Sequence, residues 1–330
     1  MRNGKNFGTK AAHATDLVAL IEEAGSRIYG LVQQTSVARL PHSPRIPAST
    51  RVYAKLEQLQ TTGSFKLRGA TNKILTLSPD VAAAGVVTSS TGNHGLAVAA
   101  AAKFRGVDAE VFLSSQVPEA KWKKIESYGA RIRTAGKSPL DAEIAARAAA
   151  EESGRTYVSP YNDLLVVAGQ GTIGVELLRQ TDSIDAVFIA TGGGGLISGV
   201  GSYLRERSPH TEIVGCWPEN SRVLYECMQA GRIIEFREIY TLSESTAGGV
   251  EPGSITFELA RAAMHRGVLV SEDAILDAMK WARERNWTIE GAAGVALAAC
   301  FQEAWRYEGK TVVVVFCGGN LSPEVENRLR

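Results

Sequence analysis

Short runs of Val, Ile, Ala and Phe recur along this chain, separated by stretches long enough to be helices, and that alternation leaves few folds open. Residues 52–56, 85–88, 109–113, 130–134, 186–190, 212–216 and 311–316 read as strands. Residues 94–104, 118–128 and an alanine-rich stretch ending near 153 read as helices. Further helices open after the glycines at 192–195, near Ser221 and at Ser271. Apolar strands without a polar face are buried on both sides, and parallel neighbours are joined through roughly a dozen residues or more. The expectation is an α/β fold with parallel-rich sheets covered by helices. Upstream, 16–34 reads as a helix capped by Thr15, 1–14 as irregular polar chain, and the proline-rich stretch 41–47 as a break. A length of 330 residues allows one large unit or two lobes, and no composition shift marks a seam.

Composition excludes several classes of function. The formal net charge is +1 with no basic block, so neither nucleic acid nor an anionic membrane has an electrostatic footprint to bind. Apolar residues make up 45%, enough for a full core, but no apolar run approaches the roughly 20 residues that span a bilayer. The N-terminus lacks the layout of a secretory signal, and the four cysteines form no C-x-x-C pair or ligand cluster; the expectation is a cytoplasmic protein with reduced thiols.

Four segments carry candidate chemistry. In Thr62-Gly63-Ser64-Phe65-Lys66-Leu67-Arg68-Gly69-Ala70 a lysine opens a helix, where the positive end of the dipole lowers its amine pKa toward the neutral form that Schiff-base chemistry needs; an exposed helix-start lysine reads the same way. Thr88-Ser89-Ser90-Thr91-Gly92-Asn93-His94-Gly95 joins a strand to a helix with hydroxyls and N–H groups suited to a carboxylate, or is a plain capped turn. Thr191-Gly192-Gly193-Gly194-Gly195-Leu196 lets backbone N–H groups converge on a ligand. It does not follow G-x-G-x-x-G, and no acidic residue closes the next strand, which favours a phosphate over a nicotinamide. Phe316-Cys317-Gly318-Gly319-Asn320 puts a small polar side chain past a strand's C-terminal end, or simply a buried thiol.

In this order the four segments resemble the fold type II (tryptophan synthase β-like) pyridoxal-phosphate enzymes, and within them the threonine and serine dehydratases and serine racemases. The similarity runs from about residue 46 to 324 and includes Tyr128-Gly129-Ala130 and Ala168-Gly169-Gln170-Gly171-Thr172-Ile173. The resemblance implies a two-lobed molecule, with residues 1–80 and 160–330 forming a large cofactor-binding domain and 81–159 a small mobile one, and a homodimer. It implies that Lys66 carries pyridoxal 5'-phosphate as a Schiff base, that Asn93 bonds the cofactor's phenolic oxygen, and that Gly192, Gly193, Gly194 and Gly195 with Leu196 hold its phosphate. Cys317 matches the residue facing the pyridine nitrogen, and Phe65 the aromatic beside the ring; Gly249 and Glu290 lie in segments that approach the cofactor. Ser90, Thr91, Gly92, Asn93 and His94 match the loop that grips a substrate carboxylate. The implied reaction is β-elimination from a small 3-hydroxy amino acid, giving a 2-oxo acid and ammonia.

Departures from the family pattern refine this. Where many relatives bind a divalent cation, this chain reads Cys216-Trp217-Pro218 and Ala247-Gly248-Gly249, so no metal is expected there. It stops 13 residues after Cys317, so the regulatory domain of biosynthetic threonine dehydratases is not expected. Thr91 stands where a racemase places a serine hydroxyl, so amino-acid racemisation is the alternative reading; a non-catalytic metabolite-binding α/β protein built on the glycine loop is the second. Residues 90–95 with Glu244-Ser245-Thr246-Ala247-Gly248-Gly249-Val250-Glu251-Pro252-Gly253 look like the dehydratases of hydroxyectoine breakdown, which implies a hydroxylated diaminobutyrate derivative as substrate. Glu251 is then a candidate partner for an extra amino group, or a solvated loop acid.

Overall fold

A computed structural model describes residues 8–117 and 119–330. Its strands, in chain order, are β1 (Val37–Arg39), β2 (Arg51–Lys55), β3 (Val86–Ser89), β4 (Ala109–Leu113), β5 (Arg131–Thr134), β6 (Thr156–Tyr157), β7 (Ala186–Ala190), β8 (Glu212–Pro218), β9 (Arg266–Val270) and β10 (Thr311–Val315). They form two sheets, one of order β1-β2-β10-β7-β8-β9 and one of order β5-β4-β3-β6. Every pairing is parallel except β1 with β2. The exception has a local cause: the proline-rich connection between β1 and β2 cannot form the crossover helix that a parallel neighbour requires. In β7 and β10 every residue is buried, as expected of strands covered on both faces.

Three adjacent strands of the large sheet deliver the chemistry. The chain leaving β2 leads to Lys66, that leaving β10 to Cys317, and that leaving β7 to Gly192–195, so all three emerge at the C-terminal edge where α/β sheets open their crevice. The small sheet contributes the turn after β3, which runs into the helix Asn93–Arg105.

Some boundaries differ from the sequence reading. The first helix is Gly8–Arg27, so Thr15 lies within it rather than capping it, and residues 8–14 are helical rather than irregular; residues 1–7 and Pro118 lie outside the described residues. The helix ends before residue 34, in turns that hold Ile28 and Val32 against the small-sheet core. The segment 168–173, to which the sequence reading gave no secondary structure, is part of the helix Leu164–Gln180, buried along most of its length. Ser271 caps Glu272–Arg283 as expected, its hydroxyl accepting from the Ala274 N–H. The core around the small sheet also takes in Leu67, Ala70 and Ile74 of the helix Lys66–Leu75, so the helix that begins with Lys66 bridges from the large sheet to the small-sheet core.

Candidate active site

Lys66 is the first residue of its helix, and its turn is held from below. The Phe65 N–H donates to the Cys317 carbonyl (3.0 Å), the Gly319 N–H to the Gly63 carbonyl (2.9 Å), and Ser64 pairs with Gly318. Two residues on, the fully buried Arg68 donates to Glu57 (2.7 Å) and to Glu176 of the helix Leu164–Gln180 (2.6 Å). Buried charges of this kind persist only when they are paired, so Arg68 fixes the register of the helix it belongs to. Gly69 is required beside it: a Cβ there would meet Gln170 at 2.4 Å and the Val166 carbonyl at 2.7 Å.

A cleft of about 420 Å³ opens above this floor. Phe65, Lys66, Gly192, Gly193, Gly194, Gly195, Leu196, Glu290 and Cys317 line it, together with Thr191, Ser245 and Thr246, which the sequence reading quoted within segments but gave no role, and Tyr161, which it did not mention. The Lys66 ammonium donates to the Pro160 carbonyl at 2.8 Å. Burial lowers its pKa to about 8, while Cys317 and Glu290 pull the other way. Burial likewise raises the Cys317 thiol well above its ordinary range, so the sulfur stays protonated at neutral pH. Glu290 is pushed up to about 7 by burial, against hydrogen bonds from Asn93, Ser245 and the Asn320 backbone N–H and the nearby Lys66 charge.

The glycine loop closes the opposite end. Gly194 adopts φ +87° as the cap of the helix Gly195–Arg207, so the N-terminus of a 13-residue helix points into the loop. Added Cβ atoms would meet the Thr246 carbonyl at 2.8 Å from Gly192 and Cδ1 of the Tyr161 ring at 2.5 Å from Gly193. Tyr161 is itself pinned, its hydroxyl accepting from the Glu251 N–H at 2.9 Å.

The remaining candidates divide. Asn93 is buried and donates to both oxygens of Glu290, at 2.8 and 3.1 Å, which ties it to the cleft wall. Thr91 and Gly92 are exposed and Ser90 is half-buried, forming an open rim. His94 is turned inward, its Nε2 2.9 Å from the Val158 carbonyl. Burial and the neighbouring Lys66 charge hold it down to about 3, so it is neutral and Nε2–H donates. Gly249 is exposed and does not line the cleft; Ser245 and Thr246 of the same loop do. Glu251 is not free to receive a substrate amine: its carboxylate bonds Asn162 (2.9 Å) and Arg147 (2.9 Å). Among the described residues no three His, Cys, Asp or Glu side chains gather as a metal site.

Residues 28–318 match the family described as pyridoxal-phosphate dependent enzyme. The catabolic L-threonine dehydratase of Staphylococcus aureus is 36% identical over 306 residues, covering 91% of this chain and 88% of the relative. The L-threonine ammonia-lyase of Thermotoga maritima is 34% identical over 310 residues, covering 94% and 77%. Among solved structures, maize serine racemase matches with a TM-score of 0.86 at 30% identity, over 94% of this chain and 95% of that one. Threonine deaminase isoform 2 of Solanum lycopersicum matches with 0.88 at 27% identity, over 99% and 94%.

The site's own residues fit pyridoxal phosphate. A cradle of glycines at a helix N-terminus suits its phosphate, an amine lowered to about 8 suits its aldehyde, and a protonated thiol suits a ring nitrogen that takes no full charge. This chain belongs to the fold type II pyridoxal-phosphate dependent enzymes, in the branch that holds the threonine dehydratases and serine racemases.

Proposed function

We propose that this enzyme is an ammonia-lyase of the threonine and serine dehydratase type, removing water from a small 3-hydroxy amino acid and releasing a 2-oxo acid and ammonia. The observation that carries the reading is Lys66: an amine lowered to about 8, in a cleft whose far end is the glycine cradle and whose wall is the Cys317 thiol. Bound pyridoxal phosphate supplies the conjugated ring that acidifies the substrate's Cα–H. The Lys66 Nζ, neutral once freed, accepts that proton as general base. Cys317, protonated, cannot balance a positive ring nitrogen as a carboxylate would, which favours prompt loss of the β-hydroxyl over a long-lived carbanion. The rim at Ser90, Thr91 and Gly92, with Asn93, is assigned to the substrate carboxylate. His94 acts there by shaping the loop, since its ring is committed to Val158.

The decisive experiment is a 2-oxo-acid assay across threonine, serine, 3-hydroxyaspartate and hydroxylated diaminobutyrate, paired with borohydride reduction and peptide mapping. The wild type is expected to turn over at least one of these and to carry the reduced label on Lys66. Lys66→Ala should lose the label and at least about 100-fold in rate. A Lys66→Ala protein that still forms 2-oxo acid at the wild-type rate sinks the reading. The finer assignment, to hydroxyectoine breakdown, rests on the resemblance of residues 90–95 and the 244–253 loop; Glu251 lends it no support because Arg147 and Asn162 occupy it.

Racemisation is the second reading, favoured by the exposed Thr91 hydroxyl and by the likeness to maize serine racemase. Chiral analysis of serine after incubation separates the two, and Thr91→Ala should abolish racemisation while sparing most elimination. The division into a large lobe and a mobile small lobe (81–159) is also our proposal, with the Lys66 helix at the seam. So are the homodimer and the cytoplasmic setting, which rest on the family resemblance and the composition.

A further inference from the structure

Asn320 belongs to none of the roles assigned above, yet four of its contacts converge on the site. Its Nδ2 donates to the Asn93 Oδ1 (2.7 Å) and to the Thr62 carbonyl (2.8 Å). Its Oδ1 accepts from the Lys124 ammonium (3.0 Å), on the small-lobe helix Glu119–Glu126. Its backbone N–H faces the Glu290 carboxyl. The chain makes room for it: Gly63 takes φ +78°, and a Cβ there would meet the Asn320 amide at 2.8 Å.

An amide's two ends are interchangeable by shape, so its orientation is known only when its partners dictate it. Here they do at every link. The Thr62 carbonyl only accepts and the Lys124 ammonium only donates, so Asn320 must present Nδ2 inward and Oδ1 outward. That Nδ2 requires an acceptor on Asn93, which turns the Asn93 Oδ1 toward Asn320 and its Nδ2 toward Glu290. One Asn93 hydrogen is then taken by Glu290. The other has only a long contact, 3.4 Å, to the Ser245 hydroxyl, and stays available at the cleft wall.

We propose that Asn320 is a positioning residue that sets the amide orientation of Asn93, so that Asn93 presents a donor to the cofactor, and that Lys124 couples this setting to the small lobe. This rests on the reading of Asn93 as the donor to the cofactor's phenolic oxygen. A merely structural Asn320 would change stability alone. A positioning Asn320 changes the electronic environment of the bound cofactor, and does so through Asn93.

The test uses the holoenzyme and five variants, Asn93→Ala, Asn320→Ala, Asn93→Ala/Asn320→Ala, Asn320→Asp and Lys124→Ala. The readouts are the visible absorption band of the bound cofactor, the pH midpoint of that band, and kcat and KM. Asn320→Ala should shift the band or its pH midpoint in the same sense as Asn93→Ala and lower kcat up to about tenfold, the effect of one lost neutral hydrogen bond. In the double variant the second substitution should add nothing, which is the signature of two residues acting as one unit. Lys124→Ala should leave the band in place and raise KM a few-fold. Asn320→Asp, which cannot donate to Asn93, should behave like Asn320→Ala even though it keeps a partner for Lys124. If Asn93→Ala shifts the band and Asn320→Ala, folded and loaded with cofactor, does not, the positioning role is wrong. If Asn93→Ala leaves the band unmoved, the assignment of Asn93 itself has failed.

Discussion

The turn after β7 and the turn after β3 follow one local plan: a parallel strand, a run of small residues, then a helix of 13 residues. Their surroundings differ. Around Gly192 and Gly193 the walls are complete, with Thr246 and Tyr161 so close that neither position has room for a methyl group. Around Gly92 a Cβ would meet nothing within 4 Å, and Thr91 beside it is exposed. The same motif is therefore preorganised in the large sheet and open in the small one. That suits a ligand kept through many turnovers in the first case and one exchanged at every turnover in the second. A site shaped in advance has already met its ordering cost in folding and binds more tightly for it.

Substituting the two turns in parallel is the strongest way to break this contrast. Gly193→Ala forces the added methyl against the base of the Tyr161 ring, which cannot swing away while its hydroxyl is tied to the Glu251 N–H. Overpacking of this kind costs about 1–3 kcal/mol, which corresponds to roughly 5- to 150-fold weaker cofactor binding. Gly92→Ala meets no neighbour and should leave cofactor affinity within about threefold, its effect falling on KM for the amino acid. Equilibrium titration of both apoproteins with pyridoxal phosphate checks this. Equal losses at the two positions would erase the distinction.

The pH dependence of cofactor capture sharpens the contrast. An amine must be neutral to attack an aldehyde, so with Lys66 near 8 the capture rate should climb about tenfold per pH unit below that value and level off above it. The Glu290 charge raises the Lys66 pKa, so Glu290→Gln should move the midpoint to lower pH. His94, held near 3, adds no step between pH 5 and 8, so the open turn stays silent in this assay. Stopped-flow mixing of apoenzyme with pyridoxal phosphate between pH 6 and 9.5 provides the curve. A midpoint near the ordinary lysine value would mean that Lys66 is not desolvated.

How much of this was legible in the sequence depends on whether a residue's task is local. Lys66, the four glycines and Cys317 follow strands of the large sheet, and their segments carry a recognisable order. Tyr161 was not legible, because its place against Gly193 follows from a turn folding across the sheet edge and no motif marks it. Asn320 stood inside a quoted segment but gained a role only when Asn93, Thr62 and Lys124 arrived from elsewhere in the chain. The helix Leu164–Gln180 was hidden by its glycines, which weaken helix propensity. They are there because neighbouring backbones press close: a Cβ on Gly169 would meet the Gly69 Cα at 2.6 Å, and one on Gly199 would meet the Gly171 N at 2.6 Å. Gly249 was read in the other direction, drawn toward the cofactor by its segment while the structure leaves it exposed.

The smallest expected effect lies at an ion pair between the helix Pro139–Ser153 and the loop that holds Glu251. Arg147, on that helix, pairs with Glu251 at 2.9 Å and also with Glu143, and its guanidinium lies 4.3 Å from the centre of the Tyr157 ring. Glu251 in turn holds Asn162 through its carboxylate and Tyr161 through its backbone N–H. Both ionic partners are partly exposed, so the pair is worth about 0.2–1 kcal/mol and weakens with salt. Arg147→Ala should therefore change KM by less than about fivefold, and high salt should produce the same change in the wild type. Cofactor affinity should be unaffected, because the bond that pins Tyr161 against the cradle uses a backbone N–H that the substitution spares. If Arg147→Ala weakened cofactor binding as much as Gly193→Ala, the cradle would depend on the helix Pro139–Ser153 for its shape, and its preorganisation would belong to both sheets together rather than to the large sheet alone.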